Sequence, residues 1–268
     1  MTESGLLETA IAAARAGGAV LLRSWRSLAP GAVVEKQRND FVTSADRESE
    51  AAIIERIRER FPDDAFLGEE GGASGAAGAK RTWIIDPLDG TSNFVSGFPF
   101  WSVSIAARVG NEIVAGVVWD PLRDELYAAE RGAGAFRNDD PIHVTGLAGV
   151  DGAFLATGFP FRHRDSIDLY LALFREIFLH ARAIRRAGSA ALDLALVAAG
   201  VFDGFFEFRL SAWDIAAGAI LIGEAGGVVS DFSGGDRFWE RGNVVAGARG
   251  VAAGIRDIAG KILKEEQI

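Results

Sequence analysis

The chain has 268 residues, of which 49% are hydrophobic, and it contains no cysteine. This composition provides for a sizeable core in one large domain or two modest ones, and it excludes disulfides, thiolate catalysis and cysteine-based metal sites. The formal net charge of −9 and the pI near 5.0 argue against a surface for nucleic acid or for an anionic membrane, because phosphate groups select basic faces.

The N-terminal region lacks the basic stretch of a signal peptide, and no segment of the chain approaches the ~20 uncharged apolar residues of a membrane span. We therefore expect a cytoplasmic protein with neither a membrane nor a nucleic acid as a direct partner. Apolar residues recur at helical spacing between residues 4 and 27, which predicts an amphipathic helix that ends at Pro30 and Gly31.

The next segment predicts a second helix with a capped start. Thr43 and Asp46 have the spacing of a capping box, so we interpret Asp46 as a capping residue. Asp40, just upstream, fits a solvated loop carboxylate as well as a functional one.

A strand followed by a turn carries the strongest chemical signal. The buried strand 83–85 should end at Asp86, because Pro87 cannot continue its ladder, and a helix should begin after the turn formed by Asp89 and Gly90. Carboxylates at a strand end are hard ligands that suit Mg²⁺, and unpaired amides at a helix N-terminus suit a phosphate. The alternative is an acidic turn with a purely structural role, since Asp-Gly turns are common.

Two further carboxylates occupy comparable positions. Glu69 follows a short predicted strand at 65–67 and precedes a glycine-rich stretch, 71–78, which predicts a flexible tether. Asp214 stands at the start of a predicted helix, where capping is an equally good explanation. The small residues at 187–191 allow either the close approach of a ligand or tight helix packing.

The pattern of predicted strands and helices changes halfway along the chain. Short β-like runs separated by turns from 102 to 137 predict an antiparallel meander, whereas strands and helices alternate from 154 onward, which predicts a parallel or mixed sheet. We expect a single domain, 1–268, with sub-domains of about 1–147 and 148–268. The site should lie in the crevice between them.

Four motifs follow one another in a specific order. They are Asp40-x-Val42-Thr43-x-x-Asp46, Gly68-Glu69-Glu70, Trp83-Ile84-Ile85-Asp86-Pro87-Leu88-Asp89-Gly90-Thr91-x-Asn93-Phe94 and Trp213-Asp214-x-Ala216-x-Gly218. Through them the chain resembles the inositol monophosphatase family of Mg²⁺-dependent, lithium-sensitive phosphatases. The resemblance implies a layered α-β-α-β-α fold of the inositol monophosphatase and fructose-1,6-bisphosphatase type, a homodimer and a small phosphorylated substrate.

The resemblance also implies which residues hold metal. One ion would be bound by Glu69, Asp86 and the carbonyl of Leu88. A second would be bound by Asp86, Asp89 and Asp214. A third, weaker ion would rely on Glu69 and water, so two or three Mg²⁺ ions are expected.

The implied catalytic residues are Glu69 and Thr91, which would orient the attacking water, with Asp40 linked to Thr91. The amides of Gly90 and Thr91 would take the phosphate, and Lys36 matches a lysine of a mobile loop. The residues facing the alcohol part of the substrate would be Asp89, Gly188, Ser189, Ala190, Glu207 and Asp214. The three histidines, at 143, 163 and 180, lie outside every carboxylate motif, so we assign them surface or structural roles.

These features predict a phosphomonoesterase that uses metal-activated water, with inositol 1-phosphate as the first candidate substrate. By the resemblance, Glu207 stands where inositol-preferring members have a hydroxyl-binding glutamate, which favours a polyol phosphate, although a polar residue at a strand end explains it equally well. Arg209 and the arginines at 162 and 164 could reach a second phosphate, although solvated surface charge explains them too. Fructose 1,6-bisphosphate, histidinol phosphate and 3′-phosphoadenosine 5′-phosphate therefore stay open as alternative substrates.

Two rival functions remain at this point. A haloacid-dehalogenase-like phosphatase has a similar Asp-x-Asp-Gly-Thr motif, but the spacing here is longer by one residue and that family lacks the Glu69 and Trp213-Asp214 elements. A regulatory binding protein is the other rival, since some bacterial members of the resembled family serve transcription or ribosome biogenesis.

Overall fold

The computed structural model describes residues 5–27, 33–37, 40–76, 78–161 and 163–263, and for 33–37 and 40–42 it describes the backbone alone. No helix within these ranges is long and apolar enough to cross a membrane.

The helices and strands follow the predicted order closely. The helices are α1 (Leu6–Ser24), α2 (Ser44–Arg58), α3 (Thr91–Ser96), α4 (Ile167–His180), α5 (Ala190–Ala198), α6 (Ala212–Glu224), α7 (Phe238–Arg241) and α8 (Arg249–Ala259). The strands of the first half are β1 (Val33–Gln37), β2 (Asp40–Thr43), β3 (Ala65–Gly68), β4 (Gly72–Gly75), β5 (Arg81–Asp89), β6 (Ser102–Val109), β7 (Glu112–Asp120), β8 (Glu125–Glu130), β9 (Gly134–Arg137) and β10 (Asp140–Pro141). The strands of the second half are β11 (Phe154–Thr157), β12 (Ala183–Arg185), β13 (Gly204–Glu207), β14 (Val228–Ser230) and β15 (Val244–Gly247).

Two sheets form the framework. The larger one has eight strands in the order β10-β9-β8-β7-β6-β5-β3-β4, and its pairs are antiparallel except for β3 with β5. The smaller one has five strands in the order β12-β11-β13-β15-β14, in which β12, β11 and β13 run parallel and the other pairs are antiparallel. The predicted meander and the predicted mixed sheet are therefore both present.

Three hydrophobic clusters divide the molecule into five layers. Helices α1 and α2 pack on one face of the large sheet. Helices α5 and α6 lie between the two sheets and share a cluster with both. Helices α4 and α8 cover the outer face of the small sheet. Neighbouring strand residues point to opposite faces, so Phe205 joins the middle cluster and Phe206 the outer one. The predicted α-β-α-β-α layering is confirmed.

Strand β5 does not end where the sequence predicted. Asp86 is opposite Ser104 on β6 and Asp89 is opposite Ser102, so three residues on β5 span the length of two on β6. The extra residue makes a β-bulge that contains Pro87, and a bulge is one of the few places where a sheet tolerates proline. The prediction that Pro87 stops the ladder was wrong.

The glycine-rich stretch after Glu69 also differs from expectation. Residues 72–75 form the edge strand β4, which is antiparallel to β3, so the predicted tether is in part a β-hairpin. Gly75 has a φ of +93°, and a side chain there would lie 2.5 Å from the carbonyl oxygen of Asp64. Glycine is thus needed at this position for the turn and for the close packing, and not for flexibility.

The proposed division into sub-domains stays a prediction. The connection between the two sheets runs from the end of β10 at Pro141 to the start of β11 at Phe154. However, α5 and α6 belong to the second half of the sequence and pack on the large sheet as well as the small one.

Helix α6 packs closely on helix α5 and on strand β7 of the large sheet. A Cβ atom at Gly218 would lie 2.5 Å from Cβ of Leu194 on α5, and one at Gly116 on β7 would lie 2.5 Å from Cγ2 of Ile220. In contrast, a Cβ atom at Gly223, near the end of α6, would meet no atom within 4 Å.

Gly218→Ala should therefore destabilise the protein by about 1–3 kcal/mol, the usual range for overpacking a core. Gly223→Ala is the matched control in the same helix, and it should be neutral or stabilising by up to ~1 kcal/mol because alanine favours the helix. Urea unfolding of both variants measures the difference. Equal effects would contradict the close packing of α5 and α6.

Candidate active site and metal centre

One cleft collects nearly all of the residues that the sequence analysis selected. It lies where the bulge of β5, the end of β13 and the starts of α3, α5 and α6 come together. The predicted site residues that line it are Glu69, Asp86, Leu88, Asp89, Gly90, Thr91, Gly188, Ser189, Ala190, Glu207 and Asp214. Of the predicted set only Asp40 is missing, and its side chain lies outside the described residues, as does that of Lys36.

Three buried carboxylates form the centre of the cleft. Asp86, Asp89 and Asp214 each offer an oxygen atom, and these atoms lie within 4.8 Å of one another. Burial raises the pKa of Asp86 well above its usual value, and the charges of Glu69, Asp89 and Asp214 raise it further. A divalent cation relieves such repulsion, and carboxylate oxygens are the ligands that Mg²⁺ prefers. The residues therefore fit the metal that the sequence analysis expected.

Hydrogen bonds from neighbouring residues fix the orientation of two of these carboxylates. The Leu88 amide donates to Oδ1 of Asp86 at 3.0 Å. Oδ2 of Asp89 accepts from Oγ of Ser189 at 2.6 Å and from the Ala191 amide at 2.7 Å. The two bonds to Asp89 join β5 to the start of α5, so Ser189 helps to orient a carboxylate of the cluster.

The third carboxylate, Asp214, combines both interpretations that the sequence left open. Its Oδ2 atom accepts from the Ser211 amide at 2.7 Å, and the two residues form a capping box at the start of α6. The cap holds Asp214 in the first turn of the helix, where it is 8% exposed and belongs to the cluster. The cap thus positions Asp214 within the carboxylate cluster.

Glu69 lies at the edge of the cluster, in the turn between β3 and β4. Its amide donates to the carbonyl of Ile85 at 3.1 Å. The buried side chain of Glu50 accepts from the amides of the next two residues, Glu70 at 3.0 Å and Gly71 at 2.7 Å. The turn is thereby anchored from α2, and Glu69 is the strongest charged neighbour of Asp86.

Thr91 has a partner that the sequence analysis did not assign to it. Its hydroxyl lies 3.2 Å from Oδ1 of Asp46 and 3.1 Å from the carbonyl of Leu88. Asp46 also forms the predicted capping box with Thr43, whose amide donates to Oδ2 at 2.9 Å and whose hydroxyl donates at 2.6 Å. Burial raises the pKa of Asp46 to about 6. The capping role is confirmed but incomplete, and the link of Thr91 to Asp40 stays a prediction.

Four ionisable residues outside the predicted set also line the cleft. They are His163, Arg186, Asp193 and Arg209. The sequence predicted a surface or structural role for His163, and for Arg209 either a contact with a second phosphate or solvated surface charge. Asp193 is 2% exposed, and burial, followed by the charges of Glu207 and Asp89, raises its pKa well above the usual value. A carboxylate within the apolar segment 190–198 was a signal that could have identified it.

Comparison with known proteins covers almost the whole chain. The model of the inositol monophosphatase family matches residues 3–264. Nus factor SuhB of Pseudomonas aeruginosa is 47% identical over 246 residues, which cover 90% of this chain and 91% of that protein.

Two solved structures give the same result. The extragenic suppressor protein SuhB of Bartonella henselae has a TM-score of 0.92 at 38% identity, with 97% of this chain and 100% of that chain covered. An inositol monophosphatase from Anabaena has a TM-score of 0.87 at 35% identity, with 97% of each chain covered.

The repulsion within the cluster predicts opposite effects of one substitution in the absence and presence of metal. In EDTA at pH 7, Asp86→Asn should raise the melting temperature by a few °C, because it removes one charge and keeps the acceptor for Leu88. Mg²⁺ at about 100 times its dissociation constant should stabilise the wild type by about 2.7 kcal/mol and the variant much less.

Asp120→Asn is the control for this measurement. Asp120 is also buried and also accepts from the amide two residues later, that of Leu122 at 2.9 Å, but it does not line the cleft. This variant should keep the full shift with Mg²⁺. An equal shift in Asp86→Asn would remove that residue from the metal site.

Proposed function

The chain belongs to the inositol monophosphatase family, and from this we propose that it is a Mg²⁺-dependent phosphomonoesterase that hydrolyses a small polyol phosphate. Inositol 1-phosphate is the first candidate, with inositol and phosphate as products. The observation that carries the proposal is the cluster of Asp86, Asp89 and Asp214 in a cleft that also contains Glu207. Family membership excludes the haloacid-dehalogenase-like alternative.

The metal and the protein have separate tasks in the proposed mechanism. Asp86, Asp89, Asp214, Glu69 and the Leu88 carbonyl would hold Mg²⁺, which when bound would supply water activation and neutralise charge on the phosphate.

Thr91 and Asp46 orient the attacking water in this proposal. When Asp46 is ionised it accepts the hydroxyl proton of Thr91 in a hydrogen bond, which leaves the Thr91 oxygen to accept one from water. Glu69 lines the same cleft and offers a second acceptor. No protein nucleophile is needed.

The phosphate is proposed to bind at the start of α3, at the amides of Gly90 and Thr91. Gly90 has a φ of +96°, and a Cβ atom there would lie 3.1 Å from the carbonyl of Phe100 and 3.2 Å from that of Gly188. Only glycine adopts this conformation without strain, and Gly90 and Thr91 both line the cleft where the phosphate is expected.

The alcohol part of the substrate is proposed to face Glu207. This side chain packs over Gly158, where a Cβ atom would lie 2.0 Å from Oε1 of Glu207, so glycine leaves room for the carboxylate. A carboxylate suits the hydroxyls of a polyol. His163, Arg186 and Arg209 supply positive or ionisable groups to the same cleft, and they keep a bisphosphate substrate as an alternative.

The test is phosphate release from inositol 1-phosphate, fructose 1,6-bisphosphate, histidinol phosphate and 3′-phosphoadenosine 5′-phosphate, with Mg²⁺, with EDTA and with added Li⁺. We expect Mg²⁺-dependent, Li⁺-inhibited hydrolysis, fastest with inositol 1-phosphate. Asp89→Asn should lower kcat/KM by about 100-fold or more, equivalent to roughly 3 kcal/mol of transition-state stabilisation. Asp120→Asn serves again as the folded control. A fully active, Mg²⁺-dependent Asp89→Asn protein contradicts the assignment.

The relatives favour a second candidate function. Because proteins with 42–47% identity carry the name Nus factor SuhB, we propose that this chain also has a transcription-related role. We further propose that it is a cytoplasmic homodimer, consistent with the exposed apolar side chains of Phe178 and Leu179 on α4. Direct contact with nucleic acid is not part of this proposal, given the net charge of −9.

Purified transcription reactions with the RNA polymerase of the same organism test this second function. Addition of the protein should change the amount of full-length transcript. Asp89→Asn should have the same effect as the wild type if the role depends on the protein surface and not on hydrolysis. No change with either protein would remove the transcription-related role.

A further inference from the structure

Helix α5 contains one ionisable residue in an otherwise apolar segment. Eight of its nine residues are buried, and Asp193 is among them. Oδ1 of Asp193 has no hydrogen-bond partner among the described residues. A buried polar atom without a partner costs free energy, so its presence requires an explanation.

Other buried aspartates of the protein have structural donors. Asp64 accepts from Arg81 at 2.8 Å and from the indole of Trp83 at 2.9 Å. In comparison, Asp193 receives no such donor to its Oδ1 atom, and the cap of α5 is formed by the hydroxyl of Ser189. A role in stabilising the fold therefore does not account for Asp193.

The position of Asp193 suggests a role in binding the substrate instead. It lines the cleft, one helical turn after Ser189 and Ala190, and residues three and four apart lie on the same face of a helix. Its charged neighbours are Glu207 and Asp89, with Arg186 of opposite charge. Asp193 thus interacts both with Asp89 of the carboxylate cluster and with Glu207, on the side of the cleft assigned to the alcohol.

We propose that Asp193 is a specificity-determining residue whose buried carboxyl group binds a hydroxyl of the substrate's alcohol. The inference rests on the proposed phosphatase function and narrows it, because it requires an alcohol with further hydroxyl groups near the phosphate ester. A site built around such a hydrogen bond discriminates strongly against substrates that lack the hydroxyl. The residue acts on substrate choice and not on the metals.

The test compares inositol 1-phosphate with p-nitrophenyl phosphate, whose alcohol has no further hydroxyl. Asp193→Ala should lower kcat/KM for inositol 1-phosphate by about 10-fold to 100-fold, the range for a lost hydrogen bond to a charged group. The value for p-nitrophenyl phosphate should change by less than about 2-fold on the same grounds. Asp193→Asn keeps the shape and hydrogen-bonding atoms, and it should retain most of the preference for inositol 1-phosphate.

Val197→Ala is the matched control, since Val197 is buried in the same helix but does not line the cleft. It should lower the melting temperature and leave the ratio of the two kcat/KM values unchanged. Asp193→Asn should keep or raise the melting temperature because it removes a buried charge.

The outcomes separate the inference from the function on which it rests. If Asp193→Ala slows both substrates equally, or neither, then Asp193 does not determine specificity and the inference is wrong. If the wild type hydrolyses neither substrate with Mg²⁺, the proposed function is wrong and the inference fails with it.

Discussion

The mutual repulsion of three buried carboxylates is the constraint on which the rest of the structure depends. Asp86, Asp89 and Asp214 are held within a few ångströms of one another, away from water, and both conditions oppose folding unless a cation is bound. Hydrogen bonds from the bulge of β5, from α5 and from the cap of α6 hold them in place. Since the three hydrophobic clusters supply most of the stability, the protein can hold a locally unfavourable arrangement ready for a cation.

The middle layer explains how one site draws on both halves of the chain. Helices α5 and α6 begin at the cleft and run between the two sheets, so each shares its packing with the site. Two serines of β6 join the halves directly: Oγ of Ser102 lies 3.2 Å from Oγ of Ser189, and Oγ of Ser104 donates to the carbonyl of Trp213 at 3.1 Å. The close packing of α5 and α6 between the sheets therefore also sets the positions of the side chains in the cleft.

Much of the fold and of the site could be predicted from the sequence because the signals are local. The capping box of Thr43 and Asp46 and the strand before Asp86 each lie within a few residues of sequence. The errors concern interactions across the chain. The contact of Thr91 with Asp46 joins residues 45 positions apart, and the bulge at Pro87 depends on the register with β6. The place of Asp193 in the cleft depends on how α5 packs, which no local pattern specifies.

The bulge in β5 decides on which face of the sheet two aspartates of the carboxylate cluster lie. Asp86 and Asp89 are three positions apart, and in a regular strand an odd separation puts two side chains on opposite faces of the sheet. The inserted residue restores even parity, since the partners on β6, Ser104 and Ser102, are two positions apart and share a face. Both aspartates consequently face the middle layer. The bulge is thus as essential to the cluster as the carboxylates themselves, because in a regular strand two residues three positions apart would point to opposite faces of the sheet.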